Sequence, residues 1–256
     1  YLLNTGMTYD EMIAEFQCKQ SSETVRITFP EGYTVTQIAA LLEENKVCSK
    51  SEFLKHLNVG TFNYDFIPAG EQNTDRFYRL EGYIFPDTYD FYINENVDSV
   101  INRFLSNFNK KFTQNLRDKA AEMGMTIDQV ITLASIIQKE STDIHEMANV
   151  SSVFHNRLNN PGKFPNLQSD VTIYYVENDI YKALKIRDER FAQAYNTYKK
   201  VGLPVGPICN PGGAAITAAL NPNQTQNYYF VTDKAGNYYY AQTLSQHNYN
   251  VKKASK

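Results

Sequence analysis

The sequence predicts an α+β fold, and three observations carry that prediction. Short alternating stretches that suit strands occur at VRITF (25–29) and at NYYFV and YYYAQ, which flank Asp233–Asn237 like the arms of a hairpin. Thr34/Gln37, Ser49/Glu52, Thr126/Gln129 and Thr243/Gln246 have the spacing of a capping box and each opens a helical pattern. No regular βα alternation links these pieces, which excludes a doubly wound parallel sheet as the expected plan.

Each element has a local reason. Pro30-Glu31-Gly32 ends the first strand. Helices then run through Ile38, Leu41 and Leu42 and through Phe53, Leu54 and Leu57. These make a strand-helix-helix unit, and a boundary is expected near Gln72–Thr74 in the aperiodic stretch that follows. Before this unit, a weak pattern predicts a short helix around Tyr9–Cys18. After Gly82 and Pro86, a long amphipathic helix is expected from Val97 to Met123, carrying Val100, Phe104, Phe108 and Leu116. A helix opening at Ile127 and another over Ile144–Leu158 come next. VTIYYV (171–176) alternates like a strand, yet is too short to exclude a buried helix. Asn210-Pro211 has the cap-then-proline order that starts a helix over Ala214–Leu220. The division expected is a segment 1–23, a small unit 24–74 and a larger α+β region 75–256.

Composition narrows the function. The 256 residues, 42% hydrophobic and 21% charged, are enough for a sizeable core. A net charge of −3 provides no general attraction for phosphate backbones, so nucleic acid is not expected as a partner. The aromatic content of 19 Tyr and 15 Phe with no Trp suits wet grooves and sugar faces as well as packing. Cys18, Cys48 and Cys209 are too far apart for a metal motif, and their odd number leaves a thiol unpaired within the chain. His56, His145, His155 and His247 lack companion ligands at zinc spacing. No P-loop, G-x-G-x-x-G or G-x-S-x-G is present. No metal or cofactor is therefore expected. No run reaches the roughly 20 apolar residues that span a bilayer. The chain opens on Tyr1 rather than Met, from which a missing N-terminal anchor is expected.

One residue stands out chemically. LASIIQKES (133–141) is an apolar helical run ending in a carboxylate. At about 100° per residue, Glu140 lies about 20° from Leu133 and about 40° from Ile136 around the axis. A carboxylate on an apolar stripe near a helix C-terminus holds its proton more tightly, and this is what a general acid at a glycosidic oxygen needs. Were the helix to fray after Ile137, Glu140 would instead be a solvated end residue.

Several segments, in order, resemble the endolytic murein transglycosylase family, the YceG-like proteins of bacterial cell-wall synthesis. They are LEGYIFPDTYDF (80–91), LASIIQKES (133–141), VFHNRL (153–158), LQSD (167–170), YNTY (195–198), GLPVGPICNPG (202–212) and the tail from YYFV to SQHNYNV. ITFPEGYTVTQIAALLEENKV similarly resembles the LysM-like unit that precedes the family's catalytic region. Gln138 stands where many relatives have Glu, which removes a competing acid beside Glu140; Val171 follows Asp170 where Pro is common, and Val205 replaces a Pro, two departures that bear on loop geometry.

The resemblance implies cleavage of the bond between N-acetylmuramic acid and N-acetylglucosamine without water, the muramyl C6 hydroxyl attacking its own C1 to leave a 1,6-anhydro end. The family's catalytic Glu falls on Glu140, acid first and base second. An intramolecular nucleophile is already held at high effective molarity, which explains why no second catalytic carboxylate is required. Glu81, Tyr83, Gln168, Ser169, Asp170, Asn196 and Tyr198 are expected around the groove, binding sugar and orienting Glu140. Partners implied are peptidoglycan strands and peptidoglycan synthases (penicillin-binding proteins). The location implied is the cell membrane, single-pass, with the catalytic region facing outward. Two other readings stay open: a non-catalytic peptidoglycan-binding module, and a scaffold that recruits synthases through the small unit.

Overall fold

The fold is that of a computed structural model, which describes residues 6–10, 12–13, 23–67 and 75–255. Most of the helix expected at Tyr9–Cys18, the boundary at Gln72–Thr74 and Cys18 itself lie outside the described residues.

The first strand, β1 (Thr24–Thr28), pairs antiparallel with β2 (Thr88–Tyr92), Val25 opposite Phe91 and Ile27 opposite Tyr89. Its partner thus lies about 60 residues downstream, beyond the two helices that follow it, α1 (Val35–Glu44) and α2 (Lys50–Val59). The alternation places Ile27 and Phe91 inward, where Phe29 meets Phe104 edge-on at 5.1 Å and Phe91 at 6.2 Å. Thr34 caps α1 with Gln37 and Ser49 caps α2 by accepting from Glu52 N, as the spacings predict.

Instead of one helix over Val97–Met123 there are two, α3 (Val97–Lys111) and α4 (Gln114–Glu122). The break is Phe112, whose ψ of 75° leaves the helix while its buried ring stacks on Phe108 at 5.6 Å; Thr113 then serves as the next N-cap.

At the centre lies α5 (Ile127–Glu140), opened by the Thr126/Gln129 box and buried on every side from Val130 to Ile137. Its neighbours are α6 (Met147–Leu158) and α10 (Gly213–Leu220), the latter built largely of Gly and Ala so that the backbones approach closely. The helix expected from Ile144 starts later, because Asp143 folds the preceding turn by accepting from His145 N. VTIYYV is helical: α7 (Val171–Tyr175) runs through a π-helical turn (Val176–Ile180) into α8 (Tyr181–Leu184), and α9 (Glu189–Tyr195) follows. The hairpin is present as β3 (Tyr229–Thr232) and β4 (Tyr238–Ala241), and α11 (Leu244–Ala254) packs on it. Among the described residues the sheets are these two antiparallel pairs, and the fold is mixed α+β. Also among the described residues, no single helix is long and apolar enough to cross a membrane.

Candidate active site

Glu140 is the last residue of α5, where the helix emerges from the core. Its carboxylate is half-buried at a cleft of about 670 Å³ and accepts a hydrogen bond from Ser169 Oγ at 2.6 Å. From the other side, Tyr238 of β4 donates to Glu140 O at 3.2 Å and lies 3.0 Å from Ser141 Oγ, fixing the hairpin over the helix end. Burial raises the proton affinity of Glu140, the Ser169 bond opposes that, and the nearby Asp170 charge adds to it. The result is a carboxyl poised to hold and release a proton beside an open cleft.

The Ser169 hydroxyl is fixed by its backbone. Ser169 N donates to Thr197 Oγ1 at 2.9 Å, and Ser169 O accepts from Thr172 Oγ1 at 2.8 Å and Thr197 Oγ1 at 3.1 Å. Gln168, with φ of +55°, turns the chain so that its N–H reaches Thr197 O at 3.0 Å. Asp170 accepts from Tyr198 OH at 2.6 Å, and burial followed by this bond pushes the Tyr198 phenol up to about 12. Gln168, Asp170 and Tyr198 line the cleft with Glu140. Asn196 acts one step behind them: its Oδ1 accepts from Tyr198 N at 2.9 Å and shapes the turn that presents the tyrosine.

Glu81 and Tyr83 correct the expectation that they lie on the groove: neither lines it, and both are fully buried. Glu81 accepts from Val35 N at 3.1 Å, Asn210 Nδ2 at 3.0 Å and Tyr175 OH at 3.0 Å, joining the start of α1, the 202–212 loop and α7. Burial, then the nearby Asp179, pushes its carboxyl up to about 8. Tyr83 stacks on Phe66 and donates to Asp128 Oδ1 at 2.7 Å, where Arg76 Nη1 also donates. The segment that carries them crosses the interior, and Gly82 makes this possible: at φ of +92°, a Cβ there would sit 2.6 Å from the Pro207 ring.

Other cleft residues went unnoticed in the sequence. The wall formed by α11 contributes Leu244, His247, Asn248 and Val251, an i, i+3, i+4, i+7 set facing the cleft. Beside them Tyr229 stacks on His247 at 5.2 Å, and Arg157 of α6 sits 5.1 Å from the Tyr229 ring centre. Arg157 carried the same signal as Glu140, a charge on the stripe of Val150 and Phe154. Among the described residues, no group of three or more His, Cys, Asp and Glu side chains is placed to hold a metal ion.

Comparison with known proteins places the chain in a family. A Bacillus subtilis (strain 168) protein named endolytic murein transglycosylase is 30% identical over 256 residues, covering 97% of this chain and 70% of its own length. A protein of the same name from Streptococcus pneumoniae serotype 2 (strain D39) is 28% identical over 98% of this chain, which spans 49% of that relative. A crystal structure of a yceG-like protein from Listeria monocytogenes matches with a TM-score of 0.72 at 29% identity, covering 97% of this chain and 83% of that one. The profile of the YceG-like family matches residues 1–253. With nearly its whole length matched, the chain belongs to the YceG-like family.

Proposed function

We propose that this protein is an endolytic murein transglycosylase, cutting the N-acetylmuramic acid to N-acetylglucosamine bond within nascent peptidoglycan strands without water. The observation that carries the reading is the carboxyl of Glu140, half-buried at the cleft with a raised proton affinity and one tight hydrogen bond from Ser169. Glu140 protonates the leaving oxygen; as carboxylate it then takes the proton of the muramyl C6 hydroxyl, whose oxygen closes on C1 to form the 1,6-anhydro ring. The proton gained in the second half replaces the one given in the first. Gln168, Asp170 and Tyr198 bind sugar hydroxyl and acetamido groups along the same cleft, Ser169 orients Glu140, and Asn196 supports Tyr198. Names of relatives support this substrate class.

In this reading residues 24–74 form a LysM-like unit and 75–256 the catalytic region, with 1–23 leading from a membrane anchor. The β1–β2 pairing and the Glu81 contacts with Val35 tie the two regions together. Nascent strands are made outside the membrane, so the catalytic region faces outward, next to the synthases that supply its substrate.

A hydrolytic outcome has one observation in its favour, the Asp170 carboxylate in the same cleft as Glu140. Mass spectrometry of fragments from uncrosslinked glycan strands, incubated with the chain and with Glu140→Gln, separates the readings. Internal cuts ending in 1,6-anhydro-muramic acid, absent with the variant, are expected. Reducing ends formed by water addition point to a hydrolase that uses Asp170. Strand binding without cleavage points to a glycan-binding module.

A further inference from the structure

Arg157 is a buried cation that, among the described residues, no carboxylate pairs with. Removing a guanidinium from water is costly, so its environment must repay the charge in another way. Its Nε donates to Tyr228 O at 2.7 Å, at the entry to β3. Its Nη1 faces Asn166 O at 3.2 Å, Leu167 O at 3.0 Å and Gln168 Oε1 at 3.0 Å. The plane lies against Phe164 at 5.6 Å and Tyr229 at 5.1 Å. One side chain on α6 therefore grips both the 166–168 turn, which leads into Ser169, and the approach to β3, whose partner strand β4 carries Tyr238.

The loop it grips is the strained one. Gln168 is held at φ of +55°, a region that a non-glycine residue keeps only where its surroundings impose it. The next residue is Ser169, whose hydroxyl reaches Glu140. Thr197 restrains the same turn from the far side through Gln168 N and Ser169 N. Without the guanidinium fork, the three acceptor oxygens lose their common donor and Gln168 is free to relax toward negative φ, which rotates Ser169 off Glu140.

We propose that Arg157 is a positioning residue: by holding Asn166, Leu167 and Gln168 in the left-handed turn, it delivers the Ser169 hydroxyl to Glu140. Lysine cannot replace it, because its single nitrogen cannot hold Tyr228 O and the 166–168 oxygens at once, as Nε and Nη1 of the planar guanidinium do. The inference rests on the assignment of Glu140 as the proton donor for its consequence in catalysis, but not for its geometry.

The test follows the titration of Glu140 by carbon-13 NMR of protein labelled at Glu side-chain carboxyls, the resonance assigned by its loss in Glu140→Gln. Asp170, Tyr198, Tyr229, His247 and Arg157 are the charged and titratable groups that share the cleft with Glu140, and Arg157→Lys leaves their charges unchanged. Arg157→Lys is expected to move the Glu140 midpoint upward, as Ser169→Ala does, because both remove the hydrogen bond that favours the carboxylate. The double variant is expected to go no further than Ser169→Ala alone. In turnover, kcat falls about ten- to hundredfold, more than KM rises, because the displaced Gln168 costs some sugar binding and the displaced Ser169 costs the chemical step. An unmoved midpoint in Arg157→Lys, or a double variant whose shifts add, overturns the proposal. If Arg157→Lys does not fold, Gln168→Ala keeps the arginine and its carbonyl bonds while cutting the side-chain tether; it is expected to shift the midpoint the same way, and no shift again overturns the proposal. Coupled midpoints in a chain that never cuts glycan strands would remove the transglycosylase reading and leave the positioning role standing.

Discussion

Ser169 Oγ lies 2.6 Å from Glu140 Oε1, at the point where a helix buried on all sides reaches a cleft. Burial favours the protonated carboxyl, and this bond favours the carboxylate. A residue that gives a proton and then takes one back needs both forms within reach, and the two opposed influences keep them so.

Glu140→Gln removes the proton but keeps the shape and an oxygen that accepts from Ser169. Cleavage is expected to fall by a factor on the order of 10² to 10⁴ or more. Thermal unfolding is expected to stay where it was or rise, since a half-buried charge that costs desolvation is gone. Strand-cleavage rates and a melting curve on the same preparation check the pair; equal loss of both would assign Glu140 to the fold instead of the reaction.

Two neighbours should move the pH profile in opposite directions. Activity that needs protonated Glu140 declines as pH rises through its pKa. Ser169→Ala deletes the bond that lowers that pKa, so the alkaline decline is expected at higher pH than in the parent. Asp170→Asn deletes the like charge that raises it, so the decline moves to lower pH. Profiles of kcat/KM for the three proteins decide this, and shifts of the same sign would exclude Glu140 as the group observed.

The 3.6-residue period placed Glu140 on an apolar stripe but left a frayed, solvated helix end open, and the motif resemblance was what singled it out as the acid. The caps at Thr34, Thr126 and Thr243 were legible because their logic is confined to four residues. What failed was long-range or directional. The partner of β1 is about 60 residues away, and nothing local in TYDFY names Val25 as its neighbour. Glu81 and Tyr83 stand in the same kind of motif as Ser169 and Tyr198, yet one segment crosses the interior and the other rims the cleft. Chain neighbours cannot report which way a loop side chain points. Arg157 was readable by the rule that found Glu140, since a charged residue on an inner helix face raises the same question there.

The buried Glu81 gives a stability signature separate from catalysis. Its folded-state carboxyl is raised to about 8, above the ordinary value of 4.5, so between those limits the folded protein binds a proton that the unfolded chain does not. Stability therefore declines as pH climbs through that window and levels off above it. The contribution is of the order of a few kcal/mol across the window. Glu81→Gln, which keeps an acceptor for Val35 N and Asn210 Nδ2, is expected to flatten the decline. Chemical denaturation of both proteins across this pH range measures the difference; parallel curves would mean that Glu81 stays ionised in its bonds.

The α11 wall should bear on the substrate rather than on the fold. Leu244 is 56% exposed and Val251 38%, so truncating them removes little from the core. Both line the cleft on the α11 stripe that carries His247, on which the Tyr229 ring stacks. In the Leu244→Ala/Val251→Ala double variant, melting is expected to be unchanged within about 0.5 kcal/mol per site. KM for glycan strands is expected to rise by about three- to tenfold at nearly constant kcat, because contacts made equally in the ground and transition states act on binding alone. A fall in kcat at constant KM would place the wall in the chemical step, and no change in either would leave the glycan path on the Gln168 and Tyr198 side of the cleft.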